Sequence, residues 1–142
     1  MNQPEEQTRS VVIEKIFAYP HEKLWRALTE PALLAQWLLR NNFLPEIDRE
    51  FQFRNEPVRA WDGVIDCKVL ALDPPRRLAY SWRAFGHEST VEFTLSPAEG
   101  GTHLRMEHSG FRATQEAAYQ GAQHGWQRFI GNLERLLDEE VQ

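Results

Sequence analysis

The stretch EKLWRALTEPALLAQWL, residues 22–38, contains two tryptophans on either side of a Thr-Glu-Pro break. Each half places large apolar residues on one helical face: Leu24, Trp25 and Leu28 before the break, and Leu34, Trp37 and Leu38 after it. Pro31 ends the first helix, because the residue before a proline is disfavoured in the α region, and it suits the start of the next helix. The stretch therefore predicts two short helices that bring both indoles to one apolar surface.

The segments that flank these helices predict strands. Residues 1–10 are polar and are expected to form an N-terminal tail, whereas residues 11–17 are rich in Val, Ile and Phe and predict the first strand. From Ile47 to His108 the chain predicts a meander of strands, with turns at residues 55–57, 61–63, 73–75, 85–86 and 96–101. Three segments show the apolar alternation clearly: Leu78, Tyr80 and Trp82; Val91, Phe93 and Leu95; and Leu104, Met106 and His108. One face of this antiparallel sheet is thus expected to be apolar and the other to face water, with charges of both signs paired across strands.

The last segment, Thr114 to Glu139, has no proline and predicts one long amphipathic helix. Its apolar face is uneven, since the second half carries Phe129, Ile130, Leu133, Leu136 and Leu137, whereas the first half carries Ala118, Ala122 and Gly125. Two explanations remain open at this point. Either the helix approaches the sheet closely at its thin end, or a bound molecule fills the space that large side chains would occupy.

Composition and charge exclude several classes of protein. The chain has 142 residues, which fits a single domain, and a net charge of -5 without a basic stripe, which argues against nucleic-acid binding. Cys67, the single cysteine, alternates with polar neighbours and is expected to be a small buried hydrophobe, so no disulfide framework or thiolate metal site is predicted. No signal peptide and no membrane span are predicted, and the expected location is the cytoplasm.

The chain shows no recognisable catalytic or cofactor motif. The histidines lack metal-ligand spacing, and His103 and His108 face opposite sides of a probable strand. No phosphate loop, dinucleotide fingerprint or nucleophile elbow is present, and no carboxylate pair falls on the inward faces. We therefore predict no catalytic residues, no metal and no cofactor. His108 and Tyr80 are the candidate polar groups in a pocket, and a structural role remains the alternative for each.

Three motifs in order give the chain a family resemblance. AYPHEKLWRALTEPALLAQWL (residues 18–38), VLALDPPRRLAYSW (residues 69–82) and HGWQRFIGNLERLL (residues 124–137) resemble the bacterial homologues of the activator of heat-shock protein 90 ATPase. This family lies within the START-like, or SRPBCC, superfamily. The resemblance implies an α+β helix-grip fold, in which a curved antiparallel sheet of about six or seven strands wraps around a long C-terminal helix. A departure stands at Arg49-Glu50, where the family commonly has a glycine pair.

The resemblance also implies an apolar cavity between the long helix and the sheet, closed partly by the two short helices. We predict that this cavity binds a small hydrophobic molecule such as a lipid, a polyketide or an aromatic metabolite. The alternatives are a co-chaperone-like module that contacts a chaperone ATPase and a cyclase or hydrolase acting on a polyketide-type substrate. The predicted ligand-binding residues are Trp25, Trp37, Phe53, Tyr80, Trp82, Phe93, Met106, His108, Ala118, Ala122, Gly125, Trp126 and Phe129.

Overall fold

The computed structural model describes residues 8–58, 61–84 and 86–139. Its elements follow the predicted order: β1 (Thr8–Phe17), α1 (His21–Thr29), α2 (Pro31–Trp37), β2 (Arg40–Asn41), β3 (Glu50–Arg54), β4 (Val64–Asp73), β5 (Arg77–Ala84), β6 (His87–Ala98), β7 (Gly101–Arg112), a 3₁₀ turn (Ala113–Gln115) and α3 (Glu116–Glu139). The α+β helix-grip prediction is confirmed, with two short helices after the first strand and a long helix at the end of the chain.

The strands form one seven-stranded antiparallel sheet in the order β1-β7-β6-β5-β4-β3-β2. Strands β2 to β7 pair with their neighbours in sequence, as expected for a meander. The first strand instead pairs with the last along its whole length, from Thr8 beside Arg112 to Phe17 beside Thr102. This long-range pairing brings the N-terminal strand next to the strand that leads into α3.

Burial alternates along the central strands. In β6, for example, Val91, Phe93 and Leu95 are buried, whereas Glu92 and Thr94 between them are partly exposed. The buried residues meet the apolar side of α3, and the core continues beneath α1 and α2. On the opposite face, side chains pair across strands: Arg77 forms an ion pair with Glu92, and Nε2 of His103 lies 3.0 Å from a carboxylate oxygen of Glu14. The predicted division into an apolar face and a polar face is therefore present.

The first strand begins earlier than predicted. Thr8 and Arg9, placed in the polar tail by their composition, pair with Arg112 and Phe111 of β7. The Arg9 guanidinium also forms an ion pair with Glu116 and lies 4.0 Å from the ring centre of Tyr119. These partners come from the end of the chain, so local composition could not indicate them. Residues 1–7 of the predicted tail lie outside the described residues.

The start of β3 is fixed without the glycine pair that is common at this point in the family named above. Asp48 adopts a left-handed backbone conformation with φ of 66° just before Arg49. Its amide donates to the Val69 carbonyl at 3.0 Å, and the Val69 amide donates to the Arg49 carbonyl at 2.9 Å. Backbone hydrogen bonds to β4 thus hold this turn, and Glu50 begins the strand with an exposed side chain.

A buried hydrogen bond closes the corner between α1 and α2. The Trp37 indole N–H donates to the Ala27 carbonyl at 2.8 Å, and the ring meets Phe93 edge-on with 6.2 Å between centroids. Trp37 is 1% exposed, whereas Trp25 is half-buried at the margin of the core. The two tryptophans of the quoted stretch therefore have unequal roles, and Trp37 ties the helices to each other and to the sheet.

We expect Trp37→Phe to lower the free energy of unfolding by about 1–3 kcal/mol, since it removes a buried hydrogen bond and leaves the Ala27 carbonyl without its donor. Urea unfolding followed by circular dichroism measures the change. Trp25→Phe is the matched control and should cost clearly less, because its side chain is only half-buried. Equal losses in the two variants would show that the corner does not depend on the Trp37 bond.

Candidate functional site

A cleft with a volume of about 540 Å³ lies between the first half of α3 and the sheet. The helix wall consists of small residues: Ala117, Ala118, Gly121, Ala122 and Gly125. Large aromatic residues surround them: Trp61, Trp82, Phe111, Trp126 and Phe129. The volume falls within the range of about 300–1,000 Å³ that is typical of small-molecule sites, and such sites are mostly apolar.

The glycines of the helix wall distinguish the two explanations for the thin face of α3. Apart from its chain neighbours and the adjacent helix backbone, a Cβ atom added at Gly121 would have no atom within 4 Å, and one at Gly125 would meet only a ring carbon of Phe129 at 3.8 Å. If the helix approached the sheet closely, atoms of the sheet would crowd these two positions. No such crowding is present. Because glycine within a helix costs about 1 kcal/mol relative to alanine, these residues are not explained by backbone packing. The missing side-chain volume corresponds to open space.

Trp126 marks the boundary between the open and the filled parts of α3. Its indole is 2% exposed and lies 5.6 Å from the ring of Trp82 and 5.9 Å from the ring of Phe93. Beyond it, the helix face is buried through bulky residues: Ile130, Leu133, Leu136 and Leu137. The second half of α3 thus anchors the helix to the core. The indole of Trp126 lies between α3 and the sheet and keeps the first half of the helix away from the strands.

A chain of hydrogen bonds lies behind Trp126. The indole N–H donates to Nδ1 of His108 at 2.9 Å, and Nε2 of His108 lies 2.7 Å from Oγ of Ser89. An indole can only donate, so Nδ1 accepts and the neutral ring carries its proton on Nε2, which donates to Ser89. The Ser89 hydroxyl then donates to the Trp82 carbonyl at 3.1 Å. Each polar side-chain group in this series of hydrogen bonds therefore has a partner.

The environment of His108 keeps its ring neutral. Burial, with a further contribution from His87, lowers the pKa of His108 to about 3. The side chain is 2% exposed, and both ring nitrogens are hydrogen-bonded. His108 is therefore held as a fixed neutral imidazole in the cleft wall and has no free lone pair with which to accept a proton from a bound molecule.

The structure separates the residues predicted to bind a ligand into two groups. One group lines the cleft: Trp82, His108, Ala118, Ala122, Gly125, Trp126 and Phe129. The other lies elsewhere in the core or at its margin: Trp25, Trp37, Phe53, Tyr80, Phe93 and Met106. Strand alternation indicates which face a residue occupies, but it does not indicate which part of that face lies opposite the small residues of α3.

Several cleft residues escaped the sequence-based prediction. Trp61 lies within a predicted turn, and His87 directly follows another. Phe111 follows the predicted end of the last strand, and Arg128 lies outside the apolar arc of the helix. Two aromatic contacts extend the cleft wall at this end: the Phe111 ring lies 4.6 Å from the ring of His108, tilted to it, and 5.7 Å from the ring of Tyr119, edge-on. The one available signal was that Trp61 is a large apolar residue within a polar turn.

The loop between β3 and β4 places Trp61 at the cleft. The Asn55 amide donates to the Gly63 carbonyl at 2.7 Å, and the Trp61 indole donates to the Val64 carbonyl at 3.2 Å. Gly63 has φ of 85°, and a Cβ there would lie 2.2 Å from the Asn55 carbonyl oxygen. Only glycine fits this close approach. The loop therefore forms a defined wall, although residues 59 and 60 within it lie outside the description.

Tyr80 is surrounded by aromatic rings away from the cleft. Its ring is fully buried among Phe43, Phe51, Phe53 and Phe93, with centroids 5.2 to 6.3 Å away. Within the described residues its hydroxyl has no hydrogen-bond partner. Burial, with a contribution from Cys67, raises the pKa of Tyr80 well above its ordinary value. The hydroxyl is thus a neutral, unpaired group inside the core.

A second depression lies over strands β3 to β6 and has a different character. Its volume is about 620 Å³, and charged or polar side chains dominate its lining: Glu50, Gln52, Asp66, Lys68, Arg83 and Glu88. These groups lie on neighbouring strands, and the Gln52 amide donates to Asp66 at 2.8 Å. The depression fits the cross-strand pairing expected of a solvated sheet face.

The described part of the chain contains no group of three or more His, Cys, Asp or Glu side chains arranged to hold a metal ion. None of the helices that the structure describes is both long enough and apolar enough to cross a bilayer.

The fold and the cleft define a class: α+β helix-grip proteins with an apolar cleft beneath the C-terminal helix. Within that class, the chain belongs to the family described as "Activator of Hsp90 ATPase homolog 1-like protein", whose model matches residues 18–138. The resemblance carried by the three sequence motifs is therefore confirmed. A comparison with curated proteins found no match.

Solved structures share the fold. Protein MLL2253 from Mesorhizobium loti is 47% identical, with a TM-score of 0.86, covering 92% of this chain and 98% of its own. CalU16 from Micromonospora echinospora is 24% identical, with a TM-score of 0.75, covering 94% of this chain and 79% of its own. DynU16, described as a protein in the dynemicin biosynthetic locus, is 24% identical with a TM-score of 0.78, covering 95% of this chain and 48% of its own. The last two show likeness of fold alone.

We expect Tyr80→Phe to leave stability unchanged or to raise it by up to about 1–2 kcal/mol, because it removes a buried hydroxyl that has no partner. Thermal and urea unfolding measure the effect. Tyr19→Phe is the control: the Tyr19 hydroxyl donates to Asp138, so its removal should not stabilise the protein. A marked loss in Tyr80→Phe would indicate that the hydroxyl does have a partner.

The lowered pKa of His108 predicts how stability changes with pH. Between pH of about 6.5 and about 3 the histidine is protonated in the unfolded chain but neutral in the folded one, so the unfolded state binds more protons. His108 should therefore contribute a fall in the free energy of unfolding as pH decreases through this window, at up to about 1.4 kcal/mol per pH unit. Urea unfolding across the window measures the slope.

His108→Gln should flatten that slope relative to the wild type. The matched control is His124→Gln, which alters an exposed histidine on α3 and should keep the wild-type slope. Identical slopes in the wild type and His108→Gln would contradict the assignment of a neutral, buried ring.

Proposed function

We propose that this protein binds a small, largely apolar molecule in the cleft between the first half of α3 and the sheet. The observation that carries the proposal is the combination of small helix residues with unfilled space in front of them. Gly121 and Gly125 have room for added atoms, and aromatic rings line the surrounding walls. A bound apolar molecule would be stabilised by about 25 cal/mol for each Å² of apolar surface removed from water.

Family membership supports a binding role at the level of the fold. The chain shares its fold with CalU16 and DynU16, and DynU16 is described as a protein in the dynemicin biosynthetic locus. That description fits a fold used for small-molecule binding. The lipid, polyketide or aromatic class expected from the sequence stays within this proposal.

The polar groups of the cleft favour binding over catalysis. His108 has both nitrogens hydrogen-bonded and is neutral, Ser89 donates to a backbone carbonyl, and Tyr80 lies away from the cleft. No Asp or Glu side chain lines the cleft among the described residues. A cyclase or hydrolase needs an acid or base that faces its substrate, and these groups do not provide a paired set. Binding to a chaperone ATPase is supported by the family description alone, so the cleft carries the proposal.

N-Phenyl-1-naphthylamine, a neutral apolar dye whose fluorescence rises in apolar surroundings, tests the proposal directly. We expect saturable binding by the wild type and an increase in Kd of about tenfold or more in Ala122→Phe, which corresponds to about 1.4 kcal/mol. The added ring would project into the cleft from the helix wall. Fluorescence titration gives both constants.

Gln127→Phe is the matched control, because it adds the same ring at an exposed position of α3 that does not line the cleft. It should bind the dye as the wild type does, and circular dichroism should show that both variants fold. Absence of saturable binding in the wild type, or equal binding by Ala122→Phe, would contradict the proposal.

A further inference from the structure

The charges around the cleft are one-sided. The chain as a whole has 21 acidic and 16 Lys and Arg residues, yet no described Asp or Glu lines the cleft. Arg128 is its one permanently charged lining residue among those described, and Asn55, His87, Ser89 and His108 are the other side chains there with strong polar groups. The composition of this wall therefore differs from that of the protein surface.

Two of these polar groups are already satisfied. Ser89 and His108 bond to each other, to the Trp126 indole and to the Trp82 carbonyl. The side-chain hydrogen-bonding groups of both residues thus have partners within the protein. The hydrogen-bonding groups left to a bound molecule are the side-chain amide N–H groups of Asn55, whose Oδ1 accepts from the Glu56 amide at 2.8 Å, and those of His87 and Arg128.

His87 has an unsatisfied atom beside the cleft. Its Nδ1 is buried and, within the described residues, has no hydrogen-bond partner. The ring lies 6.5 Å from that of Phe111, in an aromatic part of the wall. A buried polar atom without a partner costs about 1–3 kcal/mol, so a ligand atom that bonds to Nδ1 would recover stabilisation at this point.

Arg128 presents a cation to the same cleft from the helix side. Its guanidinium lies 5.4 Å from the ring centre of Phe129, and no carboxylate among the described residues pairs with it. A guanidinium binds a carboxylate through parallel N–H donors, which makes it the preferred partner of that group. The position of Arg128 therefore favours a ligand that carries an anion.

We propose that the ligand is a weak organic acid, with an apolar body in the aromatic cleft and a carboxylate that binds Arg128, while His87 supplies a second polar contact. This inference rests on the proposed function and adds the chemical class of the ligand. A carboxylate matches the Arg128 donors and accepts from an imidazole N–H, whereas a cationic ligand is repelled by Arg128. The net charge of -5 repels anions in general, so a preference for an acid must arise locally.

Two compounds with one carbon skeleton test the inference: 2-naphthoate and its neutral methyl ester. Each is titrated at neutral pH against the protein loaded with N-phenyl-1-naphthylamine, and Kd is obtained from displacement, using the dye affinity of each variant. We expect the wild type to bind the acid about tenfold or more tightly than the ester. Higher salt should weaken acid binding more than ester binding, because Arg128 is exposed to solvent.

Arg128→Gln should bring the ratio of acid to ester affinity close to one, and His87→Phe should lower it by a smaller factor. Arg135→Gln is the matched control, since it removes an exposed arginine of α3 that does not line the cleft, and it should keep the wild-type ratio. Equal affinities for acid and ester in the wild type would overturn the inference, and so would a preference that survives both cleft substitutions. If the dye, the acid and the ester all fail to bind, the proposed function itself is wrong and the inference falls with it.

Discussion

The packing of Trp126 against the sheet is the constraint on which the cleft depends. The indole is held on one side by the rings of Trp82 and Phe93 and is oriented by its hydrogen bond to His108. Because a tryptophan buries roughly 150–250 Å², this contact resists collapse of α3 onto the strands. The bulky residues after Trp126 fix the second half of the helix, so the small residues before it face a space that the protein does not fill.

The same contact determines the chemistry of the cleft wall. By donating to Nδ1 of the neutral His108 ring, the indole selects the tautomer that carries its proton on Nε2. That N–H then donates to Ser89. From its sequence position, His108 was a candidate for direct contact with a ligand. Both of its ring nitrogens instead bond to other residues of the cleft wall. The polar side chains of the cleft outside this hydrogen-bonded set include His87 and Arg128, which come from the start of β6 and from α3. The Trp126 side chain thus determines both the packing of α3 on the sheet and the hydrogen bonding of His108 in the cleft wall.

Particular elements show why parts of this structure were predictable. Pro31 and the spacing of Leu34 and Trp37 determine α2 through local sterics and periodicity, and the alternation in β6 and β7 appears directly in their burial. The small residues of α3 were also visible as a gap in an amphipathic pattern. By contrast, Trp37 looked equivalent to Trp25, because periodicity does not reveal that its indole reaches the Ala27 carbonyl. Thr8 and Arg9 looked like a tail because their partners lie at the far end of β7.

The sequence by itself therefore determined the helices and most of the strands, their order, the apolar face of the sheet and the missing bulk at one end of α3, but not the short strand β2. These properties depend on backbone sterics and on the periods of helices and strands, which act over a few residues. The tertiary structure alone decided which residues surround the resulting space. Strand pairing and the loop held by Gly63 bring Trp61, His87, Phe111 and Arg128 together from separate parts of the chain. Such convergence depends on long-range contacts, and no local pattern encodes them.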